Sequence, residues 1–471
     1  MIQGPITGGA HGWAFADPLV DLAAYGYVEE EFFVTGEATS YRQVPGTAWS
    51  RDGHWQVEAK SIIPFKTRIL VYRPADPARF NHTAVVSWNN VTAGYELFGG
   101  ESPEIIEGGY AFIAATVQRV GAHGFPTNSQ GLAAWDPDRY GTLSIPTDDA
   151  SYDIFTQVAR AIGPERNRSG VDPLAGLDVR KVIGLGASQS ASRLSTYVNA
   201  VHPLARAYDG FLLQIYFGGG APIETGPAVV NPNWAAVLSS TSLPVILQEA
   251  NLVGANLIRD DLDVPVMVVN SELEAFACRR VRQPDSDRFR YWESAGTSHT
   301  AYQTQLVRAA KYKREFGAAL PVTSNMNRIA LTPLYDAAVH HLNRWVHGGA
   351  PPPVQPLLVF AGDPADVVRD AYGIATGGVR LPQADVPVAS NSAIPLQANR
   401  EYLLRGSNHP LDAKLIDALY GDEATYLAKF EQAARRAVQS GVLLPRDVRP
   451  AVEEAAIEYR RASAGGAAAA G

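Results

Sequence analysis

Ser188 stands at the bend of Val182-Ile183-Gly184-Leu185-Gly186-Ala187-Ser188-Gln189-Ser190-Ala191. The apolar run before it reads as a buried strand. Ala191, Leu194, Val198 and Val201 after it recur at three- and four-residue spacing, the mark of a helix with one apolar face. A serine at the tip of a strand-turn-helix projects its hydroxyl into a cleft and aims a helix N-terminus at the place where negative charge develops. The chemistry this suits is acyl transfer through a covalent serine intermediate, which needs a base for the hydroxyl proton and an acid to orient that base. In chain order the acid and then the base follow the serine. His299 is the candidate base, on the loop Ala295-Gly296-Thr297-Ser298-His299 after the strand-like Arg288–Trp292. Glu272 and Glu274 are the candidate acids, because Val264–Val269 runs straight into Asn270-Ser271-Glu272-Leu273-Glu274. If the chain stays extended there, both point to one side, and Glu274 falls where the acid is expected. For the oxyanion, the backbone N–H of Gln189 is one expected donor and that of Asn90, in Trp88-Asn89-Asn90-Val91-Thr92, is the other.

Other readings of the same residues exist. Gly184-Leu185-Gly186 can open a dinucleotide-binding loop, but Gln189 stands where that pattern needs its third small residue. Ser188 can also be a plain helix N-cap. His409 and His123 are the rival bases, and His340, His341 and His347 lie in a helical stretch where packing or solvation explains them. Asn90 can merely shape its turn, and Glu272 and Glu274 can be solvated loop carboxylates. No His-Glu-x-x-His motif and no tight His/Asp cluster is visible along the chain, and Asp136, Asp138, Asp148 and Asp149 read as turn and helix-start residues, so no metal and no cofactor is expected.

These residues must be held by a sheet. Val28–Thr35, Trp55–Lys60 and Thr67–Tyr72 read as antiparallel strands. Ala84–Trp88, Tyr110–Thr116, Val179–Leu185, Phe211–Tyr216, Val264–Val269 and Arg288–Trp292 read as the strands of a mainly parallel sheet, with a helix over Asp148 to Ile162. Strands alternating with helices make the fold class α/β. Residues 125–147, 221–262 and 303–330 interrupt the alternation and read as cap or rim insertions in a core spanning 1–350. Residues 351–460 form a loop-and-helix extension expected to pack on that core, with a helix over Tyr426 to Gly441, and 461–471 is an Ala/Gly tail expected to be disordered.

The 471 residues are 46% hydrophobic and 19% charged, a globular composition with ample core. A net charge of −8 without basic clusters gives nucleic-acid binding no electrostatic support. The single cysteine, Cys278, excludes a disulfide within the chain and a cysteine zinc site. No uncharged apolar run is long enough to span a bilayer. No basic segment with an apolar run opens the chain, so it reads as cytoplasmic; a secreted mature form stripped of its leader reads the same. The oligomeric state is left open.

Ala187-Ser188-Gln189-Ser190-Ala191 with Arg193-Leu194 resembles the bacterial "α/β hydrolase domain" serine hydrolases, which carry Ser-Gln-Ser-Ala at this elbow. Gly26-Tyr27-Val28-Glu29-Glu30-Glu31-Phe32, Arg139-Tyr140-Gly141, Gln283-Pro284-Asp285-Ser286 and Glu293-Ser294-Ala295-Gly296-Thr297-Ser298-His299 agree too, and matches extend over about residues 4–460. The resemblance makes Ser190, where a glycine is usual, a mark of the family. It implies an α/β-hydrolase fold and hydrolysis of a small-molecule carboxylic ester. The family often shows Ser-Glu-Thr-Asp where this chain has Ser271-Glu272-Leu273-Glu274, which keeps Glu272 as an alternative acid. Amide or lactone hydrolysis, acyl transfer, and a non-catalytic ligand-binding protein of the same fold are the alternative functions.

Overall fold

The computed structural model describes residues 1–97, 101–126, 129–224, 254–363, 365–394 and 404–464. Its centre is a nine-stranded sheet in the order β1-β2-β3-β5-β4-β6-β7-β8-β9. The strands are β1 (Ile2–Gln3), β2 (Tyr27–Gln43), β3 (Val57–Pro74), β4 (Thr83–Trp88), β5 (Ala111–Ala115), β6 (Lys181–Ala187), β7 (Gly210–Gln214), β8 (Val266–Asn270) and β9 (Phe289–Glu293). β1, β2, β3 and β5 pair antiparallel, and from β5 through β4 to β9 every pairing is parallel. The short runs Thr-Ala-Val-Val-Ser-Trp, Ala-Phe-Ile-Ala-Ala and Val-Met-Val-Val-Asn are buried along their whole length, as parallel strands covered on both faces must be.

Successive residues of these strands feed two cores. Ala84, Val86, Val182, Phe211, Leu213, Val266 and Val268 pack on one face with α1 (Ser151–Ile162) and α2 (Gln189–Thr196). Val85, Ile183, Leu212, Met267 and Val269 pack on the other, against Leu334, Ala338 and Leu342 of a long helix, Thr332–Val346. That is the period of two expected of strands, applied to a sheet between helical layers.

The two strands expected at 55–60 and 67–72 are one, β3, which pairs with β2 from Tyr27↔Pro74 to Gln43↔Val57. Pro64 suggests a break, but β3 meets β5 only over Ile69–Tyr72. Pro64 therefore lies where β3 has a single neighbour and its missing N–H costs no ladder bond.

Three further elements matter for the site: α3 (Glu272–Cys278), α4 (Tyr302–Phe316) and, in the extension, the helices Glu423–Gln439 and Val448–Ser463. Ala434, Ala437 and Val442 of the extension bury against the sheet-face core. The last helix runs to Ser463, three residues into the expected tail, held by Arg461, which donates to Asn408 Oδ1 at 2.6 Å. Residues 465–471, and 225–253 of the expected 221–262 insertion, lie outside the described residues.

The chain goes from β4 to β5 on one side, then returns to place β6 on the other side of β4. Such a reversal opens a crevice at the carboxyl ends of the two strands, where ligands of open α/β sheets bind. The 88–92 loop and Ser188 leave the sheet at that edge.

Candidate active site

Ser188 occupies φ 59° and ψ −119° between β6 and α2. A side-chain-bearing residue is rarely held there, and such strain persists only where neighbours fix it. The Ser188 N–H donates to Gln214 O at the end of β7 at 2.9 Å. Gly186 admits no side chain, because a Cβ would lie 2.7 Å from Ser190 O. Ser190 turns its hydroxyl back on the turn, accepting from Ala187 N and donating to Ala187 O, both at 2.9 Å. The position where a glycine is usual thus holds a side chain that ties the elbow. Gln189 opens α2, so its N–H has no carbonyl partner within the helix.

The two glutamates separate. Helix α3 begins at Glu272, so the extended chain that would align them does not form, and the helical turn sends them to different neighbours. Glu274 closes a capping box: Ser271 N–H donates to Glu274 Oε2 at 3.1 Å, the Ser271 hydroxyl bonds the same oxygen, and Leu273 N–H donates to the hydroxyl at 3.1 Å. The other oxygen, Oε1, is 2.6 Å from His299 Nδ1. A carboxylate oxygen accepts, so Nδ1 is the ring nitrogen turned to the acid and Nε2 is the one left for another partner. Phe217, beyond β7, stacks on the imidazole with ring centroids 5.5 Å apart.

Glu272 is wholly buried and its carboxyl is raised above the ordinary range, chiefly by desolvation, against the attraction of Arg369. Arg369 Nη2 donates to Oε1 at 2.6 Å, and Oε2 accepts from Gly296 N–H at 2.9 Å. Glu272 therefore holds the histidine loop instead of the histidine. Asn327 Nδ2 donates to Gly296 O at 2.7 Å, Thr297 Oγ1 to Ser294 O at 2.8 Å, and Thr300 N–H to Leu404 O at 2.8 Å. Gly296, at φ 68°, makes the bend on which this loop turns.

The structure thus brings Glu274 and His299 together and sets Ser188 at the same edge of the sheet. Among the described residues no hydrogen bond joins Ser188 Oγ to His299. Catalytic contacts in a ligand-free site are often long and close only with substrate.

Asn90 departs from its expected role. Its backbone N–H donates to Leu97 O at 3.2 Å and is engaged, while its Nδ2 donates to Ala187 O at 2.9 Å and ties the loop after β4 to the elbow. The amides of Asn89 and Thr92 are engaged as well, with Ala115 O and Asn90 Oδ1.

The rival histidines have structural partners or stand in solvent. His123 Nε2 accepts from Ile145 N, His340 Nδ1 faces Glu104, His341 Nε2 donates to Gly441 O, His347 Nε2 meets Thr83 Oγ1, and His409 is exposed on a short strand. Folding does gather one cluster invisible along the chain: His54 Nε2 is 2.8 Å from Asp260 and Nδ1 is 3.6 Å from Asp261. The two imidazole nitrogens point at different carboxylates, so this surface group is a hydrogen-bonded arrangement in which the ring faces two acids.

Sequence reasoning passed over Gln118, just beyond β5. Its Oε1 accepts from Trp88 Nε1 at 3.0 Å and from Gln189 Nε2 at 3.1 Å, and its Nε2 donates to Asp148 Oδ2 at 3.0 Å. One side chain thereby connects the ends of β4 and β5 with the residue after Ser188. Nothing local marks it, nor Arg369 and Asn327, which act across 97 and 31 residues. The Ser-x-x-Glu capping box at Ser271 is a legible signal for Glu274.

No curated protein matches this sequence. Among solved structures the chain is similar to the esterase Est22 (10% identity, 69% of this chain and 81% of that one, TM-score 0.32). It is also similar to a Pyrobaculum calidifontis esterase (15% identity, 61% of this chain and 86% of that one, TM-score 0.28). A third likeness is to a prolyl endopeptidase (11% identity, TM-score 0.29), where 59% of this chain covers only 36% of the endopeptidase. The model of the family described as "Alpha/beta hydrolase domain" matches residues 2–453, nearly the whole of a chain built as a mainly parallel sheet between helices, and the protein belongs to that family.

Proposed function

We propose that the protein is a serine hydrolase of carboxylic esters. The observation that carries this reading is the 2.6 Å contact of His299 Nδ1 with a carboxylate already fixed by a helix cap, at the sheet edge where a strained Ser188 opens α2. In the reaction the Ser188 hydroxyl attacks the ester carbonyl while His299 Nε2 takes its proton. Glu274 holds the imidazole tautomer and stabilises the imidazolium. The tetrahedral oxyanion is met by the Gln189 N–H. The second donor is the Val91 N–H, since the neighbouring amides of Asn89, Asn90 and Thr92 already have acceptors. His299 returns the proton to the leaving alcohol, and a water deprotonated by His299 resolves the acyl-enzyme. The reading requires the His299 ring to close on Ser188 when substrate enters.

The missing Ser188–His299 hydrogen bond favours a second reading, a ligand-binding protein that keeps the fold without turnover. A fluorophosphonate probe and short nitrophenyl esters separate the two. The wild type is expected to label and hydrolyse and Ser188→Ala to do neither. Labelling or hydrolysis that survives unchanged in Ser188→Ala, or a wild type inert to both, overturns the hydrolase.

A further inference from the structure

A cavity of about 300 Å3 adjoins the candidate active site, at the lower end of the range for ligand pockets. Its walls come from both sides of the catalytic edge. Ala93 and Tyr95 follow the loop after β4, Thr300 is the neighbour of His299, and Arg308 and Tyr312 project from α4. Arg405 lies next to Leu404, which accepts from the Thr300 N–H. Two guanidinium groups line this space, and among the described residues no carboxylate does.

Among the described residues Arg308 has no ion pair, its Nε is buried without a hydrogen-bond partner, and the Tyr95 hydroxyl with which it hydrogen-bonds is neutral. Burial raises the Tyr95 phenol, so it stays protonated and can also donate to a ligand. Of the other charges on α4, Lys311 pairs with Glu101, Arg314 pairs with Asp17, Glu315 accepts from Trp13 Nε1 and Ala16 N–H, and Lys313 is exposed. A half-buried arginine with an unused donor in a cavity of this size suits a planar oxyanion, which its fork can bind through two parallel hydrogen bonds.

We propose that the substrate is an ester bearing a carboxylate, such as a half-ester of a dicarboxylic acid, and that Arg308, with Arg405 beside it, holds that carboxylate while the ester carbonyl lies at Ser188. This deepens the proposed esterase reading and rests on it. Neutral esters are bound without this contact and anionic ones with it, so the preference shows mainly in KM.

The test compares matched substrates on the full chain. Nitrophenyl glutarate half-ester is set against nitrophenyl valerate for a carboxylate in the acyl part, and acetoxybenzoate against phenyl acetate for one in the alcohol part. The wild type is expected to favour the anionic member of at least one pair. The ratio of kcat/KM, anionic over neutral, is expected to fall roughly tenfold or more in Arg308→Gln and to recover in part in Arg308→Lys. Free glutarate is expected to inhibit the wild type competitively and Arg308→Gln more weakly. No anionic preference in either pair, or a ratio unmoved by Arg308→Gln in a variant with wild-type melting, overturns the proposal. Failure of the esterase reading is separate, since it shows as no turnover of the neutral esters.

Discussion

Glu272 and Glu274 lie two residues apart, both wholly buried, and do different work. Glu274 meets His299, whereas Glu272 meets Arg369 and the Gly296 amide. In the serine-hydrolase reading Glu274→Gln keeps the volume and loses the charge and the tautomer control. Its kcat is expected to drop by roughly a thousandfold to ten-thousandfold with little change in KM, measured on a nitrophenyl ester. Glu272→Gln is expected to keep far more of kcat, and equal losses in the two variants would reverse the assignment. Sequence narrowed the acid to this pair and put Glu274 first by its count from the strand, but expected an extended chain, pointing both to one side, that does not form. The helix start at Ser271 rotates the residues apart. Asn90 shows the same limit, for its place in the right loop was legible while the partner of its amide, Leu97, was set by the loop's closure on itself.

At the scale of elements, the loop that carries His299 is buried and is clamped from three segments of the chain. Glu272 reaches it from the start of α3, Asn327 from the segment after α4, and Arg369 ties the Glu272 carboxylate to the extension. Removing one partner of a buried pair leaves the other charge without compensation. Arg369→Met is therefore expected to lower stability by about 3–5 kcal/mol, read as a drop in the denaturant midpoint. An unchanged midpoint would show that Glu272 is carried by its two backbone amides alone. The partners of Glu272 in this clamp were not legible, because a pattern of local periodicity holds no information about residues a hundred positions distant. The strands were legible, since a strand buried on both faces writes itself as a β-branched apolar run.

Across the whole molecule, burial decides how the fold answers acid. His202 is buried beside Phe211 and held down to about 4 from 6.5 by desolvation, with Asp263 at 4.0 Å and Asp209 pulling upward and Arg206 and Arg259 pushing down. Between those two values the unfolded chain binds a proton that the folded chain refuses. Stability from this group is complete above about pH 6.5 and is lost toward about pH 4, at roughly 1.4 kcal/mol per pH unit. His202→Leu is expected to flatten that slope, so that the melting difference from wild type changes steadily from pH 6.5 to 4 and is constant above pH 6.5. A difference independent of pH would place the acid response in other groups, the buried carboxylates among them.

The distances along the chain between partners at the candidate active site give the protein a schedule during its own synthesis. The serine elbow and the sheet edge that strains it need little beyond β7, which ends at Gln214. The Glu274–His299 pair needs α3 and β9, and the anchor of its loop needs Arg369 and the amide of Ala393. The helix bearing Arg308 waits in the opposite sense: it docks on Trp13 and Ala16, which are made long before it, across about 300 residues. In the serine-hydrolase reading a nascent chain therefore holds Ser188 long before it holds the His299 loop and the Arg369 that anchors it, and activity waits for the residues around 369–393.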